Sequence, residues 1–175
     1  MNRLFTPHRR APLLVAWGIP AGVSHQFELE AKRDGAKAIE AEHMLLALAA
    51  SSDGDAAKVL QEAGLDHGRI ASALKEERRR TLAFVGMKAP DKEVAAVAEP
   101  ESTLSLGTSA KAAVKRALIG ARHERHRVHL RSTDLLAGIV EAELGTVPRA
   151  LALAGVDRDA LASRARGFKM VGPEC

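Results

Sequence analysis

The sequence predicts an all-α fold made of two tandem four-helix repeats related by a pseudo-twofold axis. Three observations predict it. Aromatic residues make up only 3% of the chain and tyrosine is absent, whereas an all-β domain needs more aromatic and β-branched residues. Alanine and leucine, both strong helix formers, dominate an apolar fraction of 46%. The chain also repeats itself. With a shift of 91 residues and no gaps, residues 39–74 align with 130–165 with eight identities in 36 pairs, where ordinary composition gives roughly two or three. Ala63-Gly64-Leu65-Asp66 falls on Ala154-Gly155-Val156-Asp157, Gly54 on Gly145, Leu60 on Leu151 and Ile70 on Leu161. Apolar positions coincide even where the residues differ, as expected of a duplicated structural unit.

Each helix has its own signal. Ala110, Ala113, Val114, Ala117, Leu118 and Ala121 form one helical face, with Thr108 or Ser109 as a cap. Ser132-Thr133-Asp134 is a start signal for the helix carrying Leu135, Leu136, Ile139 and Val140. Gly145-Thr146 breaks the chain. Val147, Ala150, Leu151 and Ala154 form the next stripe, with Pro148 in a first turn where its missing N–H costs little. Gly155 suits a left-handed C-cap and Asp157 an N-cap. The first copy repeats the scheme with Gly54-Asp55, Gly64 and Asp66. Its leading helix has the weakest signal: residues 17–35 hold Gly18, Pro20, Gly22 and Gly35, and only Val23, Phe27 and Ala31 make a partial stripe.

The expected organisation is an N-terminal extension at 1–20, a first repeat at 21–80, a linker at 81–107, a second repeat at 108–168 and a tail at 169–175. The two repeats together form one domain. Glu76-Glu77 followed by Arg78-Arg79-Arg80 reads as an exposed helix end. Trp17 and Phe27 read as packing residues, and His67 beside Asp66 as a surface residue. Arg3, Arg9 and Arg10 precede an apolar run from Ala11 to Ile19, but Pro12 interrupts it and no small-x-small cleavage site follows. No apolar stretch approaches the ~18 residues of a membrane span.

Formal charge is +4 and the pI about 9.5, which permits an acidic or nucleic-acid partner without demanding one. One cysteine, Cys175, is the last residue; this excludes a disulfide framework or a thiolate zinc site and points to a cytoplasmic setting. Nothing resembles a nucleophile motif, no catalytic set is legible, and no cofactor or metal is expected. The dense run from Arg122 to Arg131 has three readings. It is a solvated helix end suited to the C-terminal dipole, or a phosphate-contacting patch through Arg122, Arg125, Arg127 and Arg131, or a metal site through His123, His126 and His129. The last has least support, since a helix-to-loop break would scatter the rings.

Glu42-His43-Met44-Leu45-Leu46-Ala47-Leu48, Gly54-Asp55-Ala56-Ala57-Lys58-Val59-Leu60, Ala63-Gly64-Leu65-Asp66 and Ser109-Ala110-Lys111 occur in this order and spacing. The pattern resembles the Clp N-terminal domain, the double repeat at the head of ClpC- and ClpA-type unfoldases, from about Ala21 to Arg166. No Gly-Lys dipeptide exists for a phosphate-binding loop, so the chain resembles that domain without an ATPase module. Phe5-Thr6 lies further upstream than the family's opening Phe-Thr.

The resemblance implies a non-enzymatic module that binds client proteins, adaptors or phosphorylated arginine. A glutamate in each copy would hold the guanidinium, by the bidentate bonding a carboxylate offers. The matching positions are Glu42 and His43 in the first copy and Ser132, Thr133 and Asp134 in the second. Thr133 cannot supply the second carboxylate. Glu42 is also explained as a first-turn glutamate favoured by the helix dipole, and His43 as a structural histidine. The alternative function is a small basic nucleic-acid-binding regulator, motivated by the arginine-rich stretches.

Overall fold

The computed structural model describes residues 19, 21–51, 54–87, 104–125 and 130–168. The side chains of 123–125 lie outside that description. So do most of the expected N-terminal extension, Trp17, the 88–103 stretch of the linker, His126, Arg127, His129 and the tail from 169.

The first copy comprises α1 (Ala21–Arg33), β1 (Ala38–Ile39), α2 (Ala41–Ala50), α3 (Asp55–Glu62) and α4 (His67–Phe84). The second comprises β2 (Ser105–Leu106), α5 (Thr108–Arg125), α6 (Ser132–Val140), α7 (Thr146–Leu153) and α8 (Arg158–Gly167). Starts of α2, α3 and α4 recur 91 residues later as those of α6, α7 and α8. The local punctuation recurs too. Asp66 accepts the Arg69 N–H at 2.7 Å and Asp157 accepts the Asp159 and Ala160 N–H groups at 3.0 Å. Gly64 and Gly155 end their helices at φ 69° and 70°, a conformation that costs glycine least.

Packing shows the pseudo-dyad. Within each copy the first helix packs on the second and the second on the fourth. Between copies α2 meets α6, α4 meets α7 and α3 meets α8. One continuous core results, with Phe27, Met44, Leu45, Leu48, Leu60, Leu65 and Ile70 from the first copy and Leu135, Leu136, Ile139, Leu151 and Leu161 from the second. The weak stripe of α1 is real: Phe27 and Ala31 are fully buried and Val23 packs against the core.

Three local features differ from the sequence expectation. The Glu76–Arg80 run is not a helix end, because α4 continues to Phe84. Glu76 pairs with Arg79 and Arg80 at 2.7 and 2.6 Å, spacings that support a helix. Its neighbours turn inward: Glu77 is 4% exposed and accepts the Thr81 hydroxyl at 2.8 Å and Arg149 Nε of α7 at 2.6 Å. The start of α6 is capped one residue early, at Arg131, whose N–H donates to Asp134 at 2.9 Å. A two-residue parallel pair, Ala38 with Ser105 and Ile39 with Leu106, ties the return from the linker to the first copy.

The Arg149–Glu77 contact links the copies. Arg149→Ala should cost about 2 kcal/mol in urea denaturation: it strands a buried carboxylate, while the exposure of the arginine and the remaining Thr81 hydroxyl moderate the loss.

Candidate functional site

Between the copies lies a cleft of about 420 Å³. Its walls come from the start of α2 (Glu40, Ala41, Glu42), one face of α5 (Thr108, Ser109, Ala112, Arg116) and the α6–α7 turn with the first turn of α7 (Ala142, Leu144 to Pro148). Thr108, Ala112 and Arg116 recur every four residues, so they share one face of α5.

Glu40 fixes the floor. Its carboxylate accepts the Ser109 N–H at 3.0 Å and the Ser109 hydroxyl. The same hydroxyl accepts the Ala41 N–H at 2.8 Å. This ties α2 to α5 across the repeat and occupies one of the two acidic groups in the cleft. Gly107 permits the approach: a Cβ there would sit 1.8 Å from Glu40 Oε1.

Glu42 is different. Glu42 lines the cleft and makes no hydrogen bond or ion pair with any described residue, although its charge acts at longer range on Arg78. It stands in the first turn of α2, at the positive end of the helix dipole. The apolar walls come from Ala112, Ala142, Val147, Pro148 and Leu144, which is 89% exposed at the rim.

His43 does not line the cleft. Its ring is buried, accepting the Glu40 N–H on Nδ1 at 2.9 Å and facing Asp34 through Nε2 at 3.5 Å. It positions the start of α2. Behind it, His43 and the Arg78 fork, at 2.7 and 3.0 Å, hold the Asp34 carboxyl well below the usual carboxylate range, against the opposing effect of burial. A depressed folded-state pKa contributes stability that is present above the unfolded value of about 4 and lost as pH falls through the folded value. The stability gap between parent and Asp34→Asn should therefore be constant from pH 7 to about 5 and shrink below about 4, as read by urea titrations at each pH.

The second copy presents its matching residues differently. Thr133 is 1% exposed and Asp134 is buried against the Arg131 N–H. Ser132 accepts the Ala56 N–H, at the start of α3, at 3.3 Å. The counterpart of Ser132 in the first copy is Ala41, and that of Ala56 is Val147. Alanine has no hydroxyl to offer. Val147 is buried beside the cleft, and its N–H has no partner among the described residues. One hydroxyl thus distinguishes the two helix starts.

Of the ligand-binding positions anticipated from sequence, the structure brings Glu42 to the open cleft and sets Ser132, Thr133 and Asp134 into the start of α6. Of the anticipated anion contacts, Arg122 is exposed on α5 and Arg131 is half-buried at the α6 cap; neither lines the cleft. Arg116, which does, was not singled out from sequence. Its only signal is the four-residue spacing from Thr108 and Ala112. Among the described residues no group of three His, Cys, Asp or Glu side chains could hold a metal ion, and no helix is long and apolar enough to cross a membrane.

The architecture is that of a double-repeat, all-α protein-interaction module. The profile of the Clp repeat (R) N-terminal domain matches residues 25–127, and the chain belongs to that family. The match stops short of α6, where Ser132-Thr133-Asp134 replaces the glutamate-histidine motif. Among solved structures, the N-terminal domain of the caseinolytic protease associated chaperone ClpD from Arabidopsis thaliana is similar at TM-score 0.58 and 17% identity, covering 81% of this chain and 86% of that one. A structure from a malarial protein secretion system is similar at TM-score 0.57 and 18% identity, covering 86% and 93%. No match is found among the curated proteins.

Proposed function

We propose that this chain is a non-catalytic docking domain that binds arginine-bearing segments of client or adaptor proteins, phosphorylated arginine included, in the Glu42 cleft. The observation that carries this reading is Glu42, which lines a largely apolar-walled cleft at the junction of the two copies and makes no hydrogen bond or ion pair with a described residue. A carboxylate in that position can accept two parallel guanidinium hydrogen bonds. The apolar walls suit the aliphatic stem of the same side chain. The domain would sequester ligands from a Clp unfoldase or present them to it, in the cytoplasm.

Isothermal titration with a phosphoarginine peptide tests this. Glu42→Gln should weaken binding at least tenfold, since a charge-assisted bidentate pair contributes about 1.5–3 kcal/mol. Equal binding by variant and parent removes Glu42 from the site. Leu144→Ser should weaken peptide binding several-fold without lowering the melting temperature, because the side chain is already in solvent.

A second reading has one observation in its favour. Lys111, Lys115 and Arg122 are exposed on one face of α5 without an ion-pair partner among the described residues. If this face contacts nucleic-acid phosphates, duplex binding falls steeply with salt. A flat gel-shift titration at low salt disposes of it.

A further inference from the structure

One face of α5 carries charges that the fold itself does not use. We infer that this face, formed by Lys111, Lys115, Ile119 and Arg122, docks an acidic amphipathic helix of a partner protein, with Ile119 as the apolar contact at its centre. The inference does not depend on what the Glu42 cleft binds.

Lys111, Lys115 and Arg122 are exposed, and Ile119 is 59% exposed. At about 100° per residue, positions 111, 115, 119 and 122 fall within about 80° of arc and along about 16 Å of helix. The core side of α5, with Ala110, Ala113, Val114, Ala117 and Ala121, lies around the far side. From Thr108 to His123 the helix has no aspartate or glutamate, so no position three or four residues away offers these cations a carboxylate. None of the three makes an ion pair with a described residue. The exposed cations of α4 are built the opposite way: Arg79 and Arg80 share Glu76, and Arg78 takes Asp34. Lys111 and Lys115 stand one turn apart and repel each other, so the stripe opposes the helix that carries it.

Charge and spacing together define the partner. The cations call for carboxylates at one-turn and two-turn spacings, which one face of a helix supplies. Ile119 stands between Lys115 and Arg122, where an apolar side chain of the partner can meet it and keep water from the contact. A nucleic-acid backbone supplies anions too, but sets charged phosphates against Ile119 and gains nothing from it. The stripe also borders the cleft, since Ala112 and Arg116 occupy the next ~60° of α5. A helix docked on α5 would lead its flanking chain past the cleft mouth.

Fluorescence anisotropy on the full chain tests this with three probes at one ionic strength. They are a helical peptide with glutamates at those spacings around a leucine, the same peptide with alanine for the leucine, and a short DNA duplex. The parent should bind the leucine peptide about fivefold more tightly than the alanine peptide, the order expected for burying part of one apolar side chain. Ile119→Ser should erase that difference and leave the alanine peptide unaffected, a split no general loss of structure produces. Lys111→Glu with Lys115→Glu should weaken both peptides by about tenfold or more, because two attractions become repulsions. Lys111→Gln with Lys115→Gln should give an intermediate loss, and carries the test if charge reversal unfolds the chain. Glu42→Gln should change none of these affinities. The inference is overturned by no measurable binding of the leucine peptide, by equal binding to the charge-altered variants, or by a leucine preference that survives Ile119→Ser. Duplex binding tighter than that of either peptide also overturns it, and gives the face to nucleic acid.

Discussion

Gly138→Ala should lower the melting temperature by roughly 6–12 °C, an effect of about 3 kcal/mol at about 2–4 °C per kcal/mol for a chain of this size. Gly138 lies in α6 where that helix crosses α5. A Cβ added there would lie 2.4 Å from the Ala113 carbonyl oxygen, 2.8 Å from the Ala117 nitrogen and 2.9 Å from the Ala117 Cβ. Two of these atoms are backbone and cannot rotate away, so the helices must separate. Both alanines are fully buried, and separation opens voids along the rest of the contact. The better helix propensity of alanine offsets only about 1 kcal/mol. Thermal denaturation followed by circular dichroism measures the result. Gly22→Ala is the control, since a Cβ there meets nothing within 4 Å and should cause no loss. The first copy has Ala47 at the equivalent position, fully buried and tolerated, so the closer helix approach is particular to the second copy. It also reaches the cleft. The Gly138 carbonyl anchors Arg116, and a displaced α6 would move that anchor.

Most of the fold was legible because its determinants are local. The 91-residue repeat located three helix starts in each copy, and Asp66, Asp157, Gly64 and Gly155 play the capping roles their residue types suggest. What escaped the sequence is non-local. The β1–β2 pair is two residues long and joins segments more than 60 residues apart, so no periodicity announces it. The length of α4 depends on Glu77 finding Arg149 of the other copy, and on Arg78 finding Asp34; read alone, the same charges describe a solvated end. At the cleft, Glu42 could be named from a motif. Arg116 could not, because a lone arginine in an amphipathic helix reads as a surface residue until the face it shares with Thr108 is known to border a cavity. Nor could sequence alone say which helix start would be plugged, since that turns on the single hydroxyl separating Ser132 from Ala41.

Thr133→Glu should fail to create a second ligand site, although it restores a carboxylate at the position equivalent to Glu42. The two positions are equivalent in register but not in environment. Glu42 faces an open cleft, whereas Thr133 is 1% exposed in a helix start already closed by Asp134 and by the Ser132 hydroxyl on Ala56. A glutamate there must either bury a charge, which costs several kcal/mol without a partner, or displace neighbours to reach solvent, which costs about 1–3 kcal/mol in a packed interior. Either route gives a loss of at least about 1 kcal/mol in urea denaturation, with binding stoichiometry for a phosphoarginine peptide unchanged at one per folded chain. A gain to two per chain, with stability kept, would show that the start of α6 opens as readily as that of α2, and would return the second copy to the binding surface.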